Sequence, residues 1–277
     1  MKIGAHVSIS GGIPNAILNA TKIGANTIQI FLSAPQNWNS PKITDQEAEQ
    51  FLIEAKKNNI DPVVIHAIYL INLASSNPDL IEKSKKTLID YLNTSAAIQS
   101  IGVIFHIGSS KEKTFDEIKK QVIDNIDEIL DQSDPKSTLI IETNAGQGNC
   151  IGSTFEQIFE IISGIKQKSR IAVCLDTAHI YESGYDLKSD PKKIIQEFNK
   201  IIGLNYLKTI HCNDSKTTLN SKVDRHENIG QGELGENTFK TLLHMPELKE
   251  IPFIIEVPGF ENKGPDKQNI DLLKKLA

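Results

Sequence analysis

The stretch Ile171-Ala172-Val173-Cys174-Leu175-Asp176-Thr177-Ala178-His179 decides how the rest of the chain is read. Its first five residues are apolar and rich in branched side chains, as in a strand buried on both faces. The run stops at a carboxylate, with an imidazole three residues later. The same pattern recurs: Val63-Val64-Ile65 ends at His66, Val103-Ile104-Phe105 at His106, and Leu139-Ile140-Ile141 at Glu142. Leu207-Lys208-Thr209-Ile210 ends at His211, and Phe253-Ile254-Ile255 at Glu256. Ionisable groups that close buried strands are costly there unless they are paired or bound to a metal. Six strand ends of one kind point to one shared site.

Outward from these runs, strands are predicted over 2–6, 27–31, 63–67, 103–106, 138–142, 171–176, 207–212 and 253–257. Helical patterns follow at 13–23, 45–57, 79–99, 116–130, 154–165, 192–202, 236–243 and 266–276. Thr44 with Glu47 reads as a capping box, and Gly24 as a helix stop. Eight strands, each followed by a helix, favour an α/β fold that closes as a single-domain (β/α)8 TIM barrel over 1–277. Strand C-terminal ends converge on one face of such a barrel, so the metal site is expected there. A doubly wound sheet would carry a Gly-rich phosphate turn after its first strand, and Gly11-Gly12 is not that fingerprint.

With 39% apolar and 23% charged residues, the chain has the composition of an ordinary globular protein. Three cysteines, Cys150, Cys174 and Cys212, show no paired spacing, which argues against a disulfide framework and for a reducing compartment. No basic-then-apolar leader and no membrane-length apolar run is present, so a cytoplasmic chain is expected. A net charge of -5 argues against a large basic nucleic-acid surface, although bound divalent ions would shift that balance.

The strand ends contribute His66, His106, Glu142, Asp176, His211 and Glu256. His179 follows one of them, and Asp224 and His226 lie in the loop after the seventh strand. Taken singly, such histidines are more often structural. Here five of the chain's seven histidines fall in the set, together with four carboxylates and no thiolate. Nitrogen and oxygen donors of this mix suit zinc, with manganese or iron as alternatives. The set is too large for one tetrahedral ion, and a centre with several metals is expected. His6 reads as a supporting residue and His244 as an exposed one.

The segments 66–73, 173–179, 211–215 and 224–230, with the opening Gly4-Ala5-His6-Val7-Ser8, resemble the signatures of the endonuclease IV family of apurinic/apyrimidinic (AP) endonucleases. The resemblance runs nearly end to end. It implies a barrel with three zinc ions per chain, manganese being an alternative. His66 and His106 would hold the first ion, with Glu142 bridging to the second. Asp176, His211 and Glu256 would complete the second, and His179, Asp224 and His226 would hold the third. It also implies hydrolysis of the DNA backbone 5′ to an abasic site, giving a 3′-hydroxyl and a 5′-deoxyribose phosphate, and trimming of blocked 3′ ends. Glu142, Asp176 and Glu256 would be catalytic, with Glu142 also placed to handle a proton. The partner would be double-stranded DNA and the chain a monomer.

By the same resemblance, Gln36, Asn37, Tyr69 and Leu70 would contact DNA, Tyr69 and Leu70 as a wedge in the base stack. Trp38 either joins them or covers the barrel mouth. Many family members have Arg where this chain has Gln36, which forfeits a charge near the phosphates. Ile107 and Val257 stand where the family often has Pro and Thr. Glu142, Asp176, His211 and Glu256 also resemble the metal quartet of xylose-isomerase-like sugar isomerases and epimerases, the alternative enzyme class. A DNA-lesion-binding protein without turnover is the non-enzymatic alternative.

Overall fold

In the computed structural model, which describes residues 1–38 and 42–277, eight parallel strands close into one barrel. They are β1 (Ile3–His6), β2 (Thr27–Phe31), β3 (Val63–His66), β4 (Val103–Phe105), β5 (Leu139–Glu142), β6 (Ile171–Asp176), β7 (Leu207–His211) and β10 (Phe253–Ile255). The surrounding helices are α1 (Asn15–Ile23), α2 (Asp45–Lys57), α3 (Pro78–Ala97), α4 (Phe115–Gln132), α5 (Phe155–Gly164), α7 (Pro191–Ile201), α8 (Glu236–Leu243) and α9 (Lys267–Leu276). The (β/α)8 expectation holds. Two elements were not anticipated: a short helix α6 (Thr177–Ser183) directly after β6, and a hairpin of β8 (Asp214–Ser215) with β9 (His226–Glu227).

Boundaries differ from the expected ones for local reasons. Helices α3 and α7 begin one residue early because Pro78 and Pro191 occupy the first helical position, where a missing N–H costs nothing. Thr44 caps α2 in the expected capping box with Glu47, and Thr114 with Glu117 does the same for α4. The strands at His106 and Glu256 stop one residue short of those side chains, leaving them on the first loop position.

Two apolar layers form the core. The larger lies between strands and helices and includes Phe51, Phe105, Phe198 and Phe253. The smaller consists of Val64, Ile104, Ile140, Ala172, Cys174 and Ile254. Because strand side chains alternate, the residue two positions after a member of this inner plug faces the same way. Val64 is thus followed by His66, Ile104 by His106, Ile140 by Glu142, Cys174 by Asp176 and Ile254 by Glu256. An apolar floor carries a polar layer directly above it.

Two details set the shape of that layer. A Cβ at Gly4 would collide with the Thr27 carbonyl, so β1 and β2 approach as closely as they do only with glycine there. Between β6 and β7, Val173 pairs with Leu207 and Cys174 with Thr209, leaving Lys208 as a bulge exposed to solvent. Past the bulge, Asp176 stands opposite His211.

Candidate metal centre

The nine residues expected as ligands converge at the C-terminal mouth of the barrel. Their ligand atoms form three groups, within each of which all atoms lie within 4.8 Å of one another: His66, His106 and Glu142; Glu142, Asp176, His211 and Glu256; and Asp176, His179 and His226. Asp224 completes the third, with carboxylate oxygens 3.3 Å from His179 Nε2 and 3.5 Å from His226 Nε2. Asp176 thus belongs to two groups, where the sequence placed it in one.

Glu142 joins the first group to the second. Its Oε2 lies 3.0 Å from His66 Nε2 and 3.3 Å from His106 Nε2, while Oε1 lies 2.7 Å from His211 Nδ1. Asp176 makes the second junction, its Oδ2 3.7 Å from both His211 Nδ1 and His226 Nε2. Six of the nine side chains, those of His66, Glu142, Asp176, His179, His211 and Glu256, are buried or nearly so. His106 and His226 are partly exposed and Asp224 is about half exposed, at 48%.

Each buried imidazole is oriented by its second ring nitrogen. His66 Nδ1 meets the Ala67 carbonyl at 2.7 Å and His179 Nδ1 the Thr143 carbonyl at 2.8 Å; both contacts are satisfied by N–H donation, which leaves Nε2 as the lone-pair atom. For His211 the orienting group is Gln29, whose Oε1 accepts from Nε2 at 2.7 Å. The Gln29 amide donates to Glu256 Oε1 at 2.6 Å and approaches His6 Nδ1 at 3.0 Å. Asn213 donates to Asp176 Oδ2 at 2.7 Å and accepts from the Glu256 backbone N–H at 2.7 Å.

The residues fit a set of divalent cations. Among the described residues His179 Nε2 and His226 Nε2 are buried with no well-formed hydrogen bond, and both face the Asp224 carboxylate in the third group. Burial alone would push Glu142 and Glu256 up, yet the imidazoles around them hold both carboxyls well below the usual range. Burial alone would also push His179 and His211 down. The charge of Asp176 and Asp224 around His179, and of Glu256 and Glu142 around His211, raises both well above the usual value. These carboxylates demand positive charge at the centre, which protons or metal ions supply.

The centre opens into a cavity of about 1070 Å³, lined by ligands together with Tyr69, Leu70, Lys111, Gln147 and Arg225. Tyr69 is 57% exposed at its mouth, edge-on to Phe31 at 5.4 Å, and its backbone N–H donates to the Pro35 carbonyl at 3.0 Å. That bond joins the two expected DNA-contact loops. Gln36 and Asn37 sit on the exposed turn beyond Pro35 and do not line the cavity. Trp38 is partly buried against the main core. His244 is exposed, and its ring Nδ1 bonds the Lys240 carbonyl of the helix it caps.

The sequence reading missed Gln29, Asn213 and Glu182. Gln29 had a signal: a polar amide in the middle of Thr27-Ile28-Gln29-Ile30-Phe31 must find partners if the strand is buried.

Residues 17–276 match the family described as xylose isomerase-like TIM barrel. The chain is 38% identical to a probable endonuclease 4 of Halothermothrix orenii, over 99% of this chain and 100% of that one. It is 36% identical to an apurinic-apyrimidinic endonuclease of Caenorhabditis elegans, over 97% of this chain and 68% of that one. Endonuclease IV from Thermus thermophilus superposes with a TM-score of 0.89 at 31% identity, covering 100% of this chain and 98% of that one. With its barrel, its convergent strand ends and full-length relatives of one kind, this chain belongs to the endonuclease IV family.

Proposed function

We infer that the chain acts in DNA repair as an AP endonuclease, hydrolysing the phosphodiester 5′ to an abasic site and trimming blocked 3′ ends. The observation that carries this reading is the junction of three ligand groups through Glu142 and Asp176, buried beneath one open cavity that His66, His106, His179, Asp224, His226 and Glu256 line. Three divalent ions, zinc or manganese, would be held by His66, His106 and Glu142; by Glu142, Asp176, His211 and Glu256; and by His179, Asp224 and His226. When bound, such ions lower the pKa of water and offset the charge of a phosphate and of the departing 3′ oxygen.

The chain's own side chains do the rest. The Ala67 and Thr143 carbonyls and Gln29 hold three imidazoles in one tautomer each, so no reorientation is needed at the moment of reaction. The cavity admits an extruded sugar phosphate, and extrusion costs least where no base stacks. Tyr69 and Leu70 stand at the rim where the vacated stack would lie. We assign the chain a monomeric, cytoplasmic role on double-stranded DNA. A sugar isomerase needs only the Glu142, Asp176, His211 and Glu256 quartet and leaves the other five ligands without a role.

Incision of a duplex carrying one synthetic abasic site tests this reading. Metal-analysed protein is expected to cut on the 5′ side, a chelator-stripped sample not to cut, and zinc or manganese to restore cutting. Metal-loaded protein that binds the duplex without cutting would assign it to lesion binding instead.

A further inference from the structure

We propose that Glu182 is a positioning residue for the third ligand group: its carboxylate docks the loop 215–225 onto α6 and so brings Asp224 and His226 to His179. The proposal rests on reading that group as a metal position. Glu182 lies on α6 one turn after His179, is fully buried, and among the described residues forms no hydrogen bond or ion pair with the nine ligand side chains. Its Oε1 lies within hydrogen-bond distance of three donors, Ser215 Oγ at 2.8 Å, Thr217 Oγ1 at 3.2 Å and the Arg225 backbone N–H at 3.2 Å, the two hydroxyls being shared with carbonyls of the same loop. These donors come from both ends of the loop. The last of them is the residue between Asp224 and His226.

The rest of the loop is seated on the open end of the same helix. The Tyr181 carbonyl accepts from Asn220 N at 3.1 Å and the Glu182 carbonyl from Lys222 N at 3.0 Å. The Ser183 carbonyl accepts from Lys222 Nζ at 2.6 Å. A helix end leaves such carbonyls unsatisfied, and here the loop satisfies them. Glu182 Oε2, by contrast, is buried with no hydrogen-bond partner among the described residues. A carboxylate held at that cost is retained for what its other oxygen does.

The contrast with the other two groups gives the consequence. Their ligands stand on or beside barrel strands that the fold fixes. In the third group Asp224 is on the loop, about half exposed, and His226 is on a two-residue strand. The third position therefore exists only while the loop is docked. It fills last and empties first.

The test is metal release from loaded full-length protein dialysed against stepped chelator, counting metal per chain, with thermal melts in parallel. Wild type, Glu182→Ala, Glu182→Gln and Thr217→Val are compared. Wild type is expected to give up one ion before the others. In Glu182→Ala that ion should leave at about tenfold lower chelator, the usual scale for losing a group that orients a ligand, with the remaining ions unshifted. Glu182→Gln should follow wild type, because the amide keeps an acceptor oxygen, and Thr217→Val should shift in the alanine direction by less. Release from Glu182→Ala identical to wild type, earlier release of all ions together, or a glutamine variant that behaves as alanine would each overturn the proposal. If the alanine variant does not fold, an unshifted Thr217→Val overturns it. Wild type that holds no metal at any chelator concentration defeats the proposed function as well, which separates that failure from this one.

Discussion

A ring nitrogen is useful as a ligand only if its lone pair faces the right way, and in His211 that depends on Gln29. Gln29→Leu removes the acceptor for His211 Nε2 and the donor to Glu256 in one step. It is expected to weaken metal binding by about 10- to 100-fold, measured by competition with a chromophoric chelator. Glu256→Gln keeps the shape and removes the charge. In protein with its metal content verified, it should lose abasic-site cleavage altogether, and retained cleavage would remove Glu256 from the catalytic set. The strand-end ligands were legible because an ionisable residue that closes a buried apolar run has to be paired or bound to a metal. The amide of Gln29 signalled a need for partners without naming them, and Glu182 gave no signal, because an amide in a strand and a glutamate in a helix reveal their partners only once other elements are in place.

At the level of elements, the eight-fold alternation was legible because most strands are continuous apolar runs and most helices are long enough to show a period. Helix α6 has seven residues and the β8–β9 hairpin two residues a side, too few for a pattern. What builds that region is a set of carboxylates. Asp214 accepts from the backbone N–H groups of Ser215, Gly230, Gly232, Leu234 and Gly235. Asp266 caps α9 by accepting from Asn269 N at 3.0 Å, and takes Phe260 N at 2.6 Å on its other oxygen. Asp266→Ala should cost about 1 kcal/mol in urea unfolding, the usual scale for a lost cap. Burial alone would raise this carboxyl, but the Asn269 and Phe260 hydrogen bonds leave it below its usual 3.8. A depressed acid stabilises the fold above its unfolded pKa, and that contribution is lost as pH falls through the folded value. The gap between wild type and Asp266→Ala should therefore be constant near neutrality and close below about pH 4.

For the whole molecule, a net charge of -5 leaves phosphate binding to local features and bound cations. Gln36 lies on an exposed turn tied to the Tyr69 loop through Pro35. Gln36→Arg should tighten binding to abasic duplex and steepen the slope of log affinity against log salt by about 0.9, the value for one added phosphate contact. An unchanged slope would place position 36 off the DNA. Ions that bind only the folded chain also stabilise it, so chelation should lower the melting temperature. Composition gave the sign of this balance but not its layout, since it cannot locate charge in space.

The bulge at Lys208 bears on which changes of chain length this protein tolerates. A regular ladder running on from Leu207 would press Lys208 against Cys174 inside the barrel and turn His211 away from Asp176. One surplus residue thus sets the phase of everything after it. Deleting Lys208 would leave Thr209 opposite Cys174 and the histidine in place, whereas a single-residue insertion or deletion between Thr209 and His211 would invert the strand. In this barrel the site depends on spacing as strictly as on residue identity, and position 208 is where the spacing has slack.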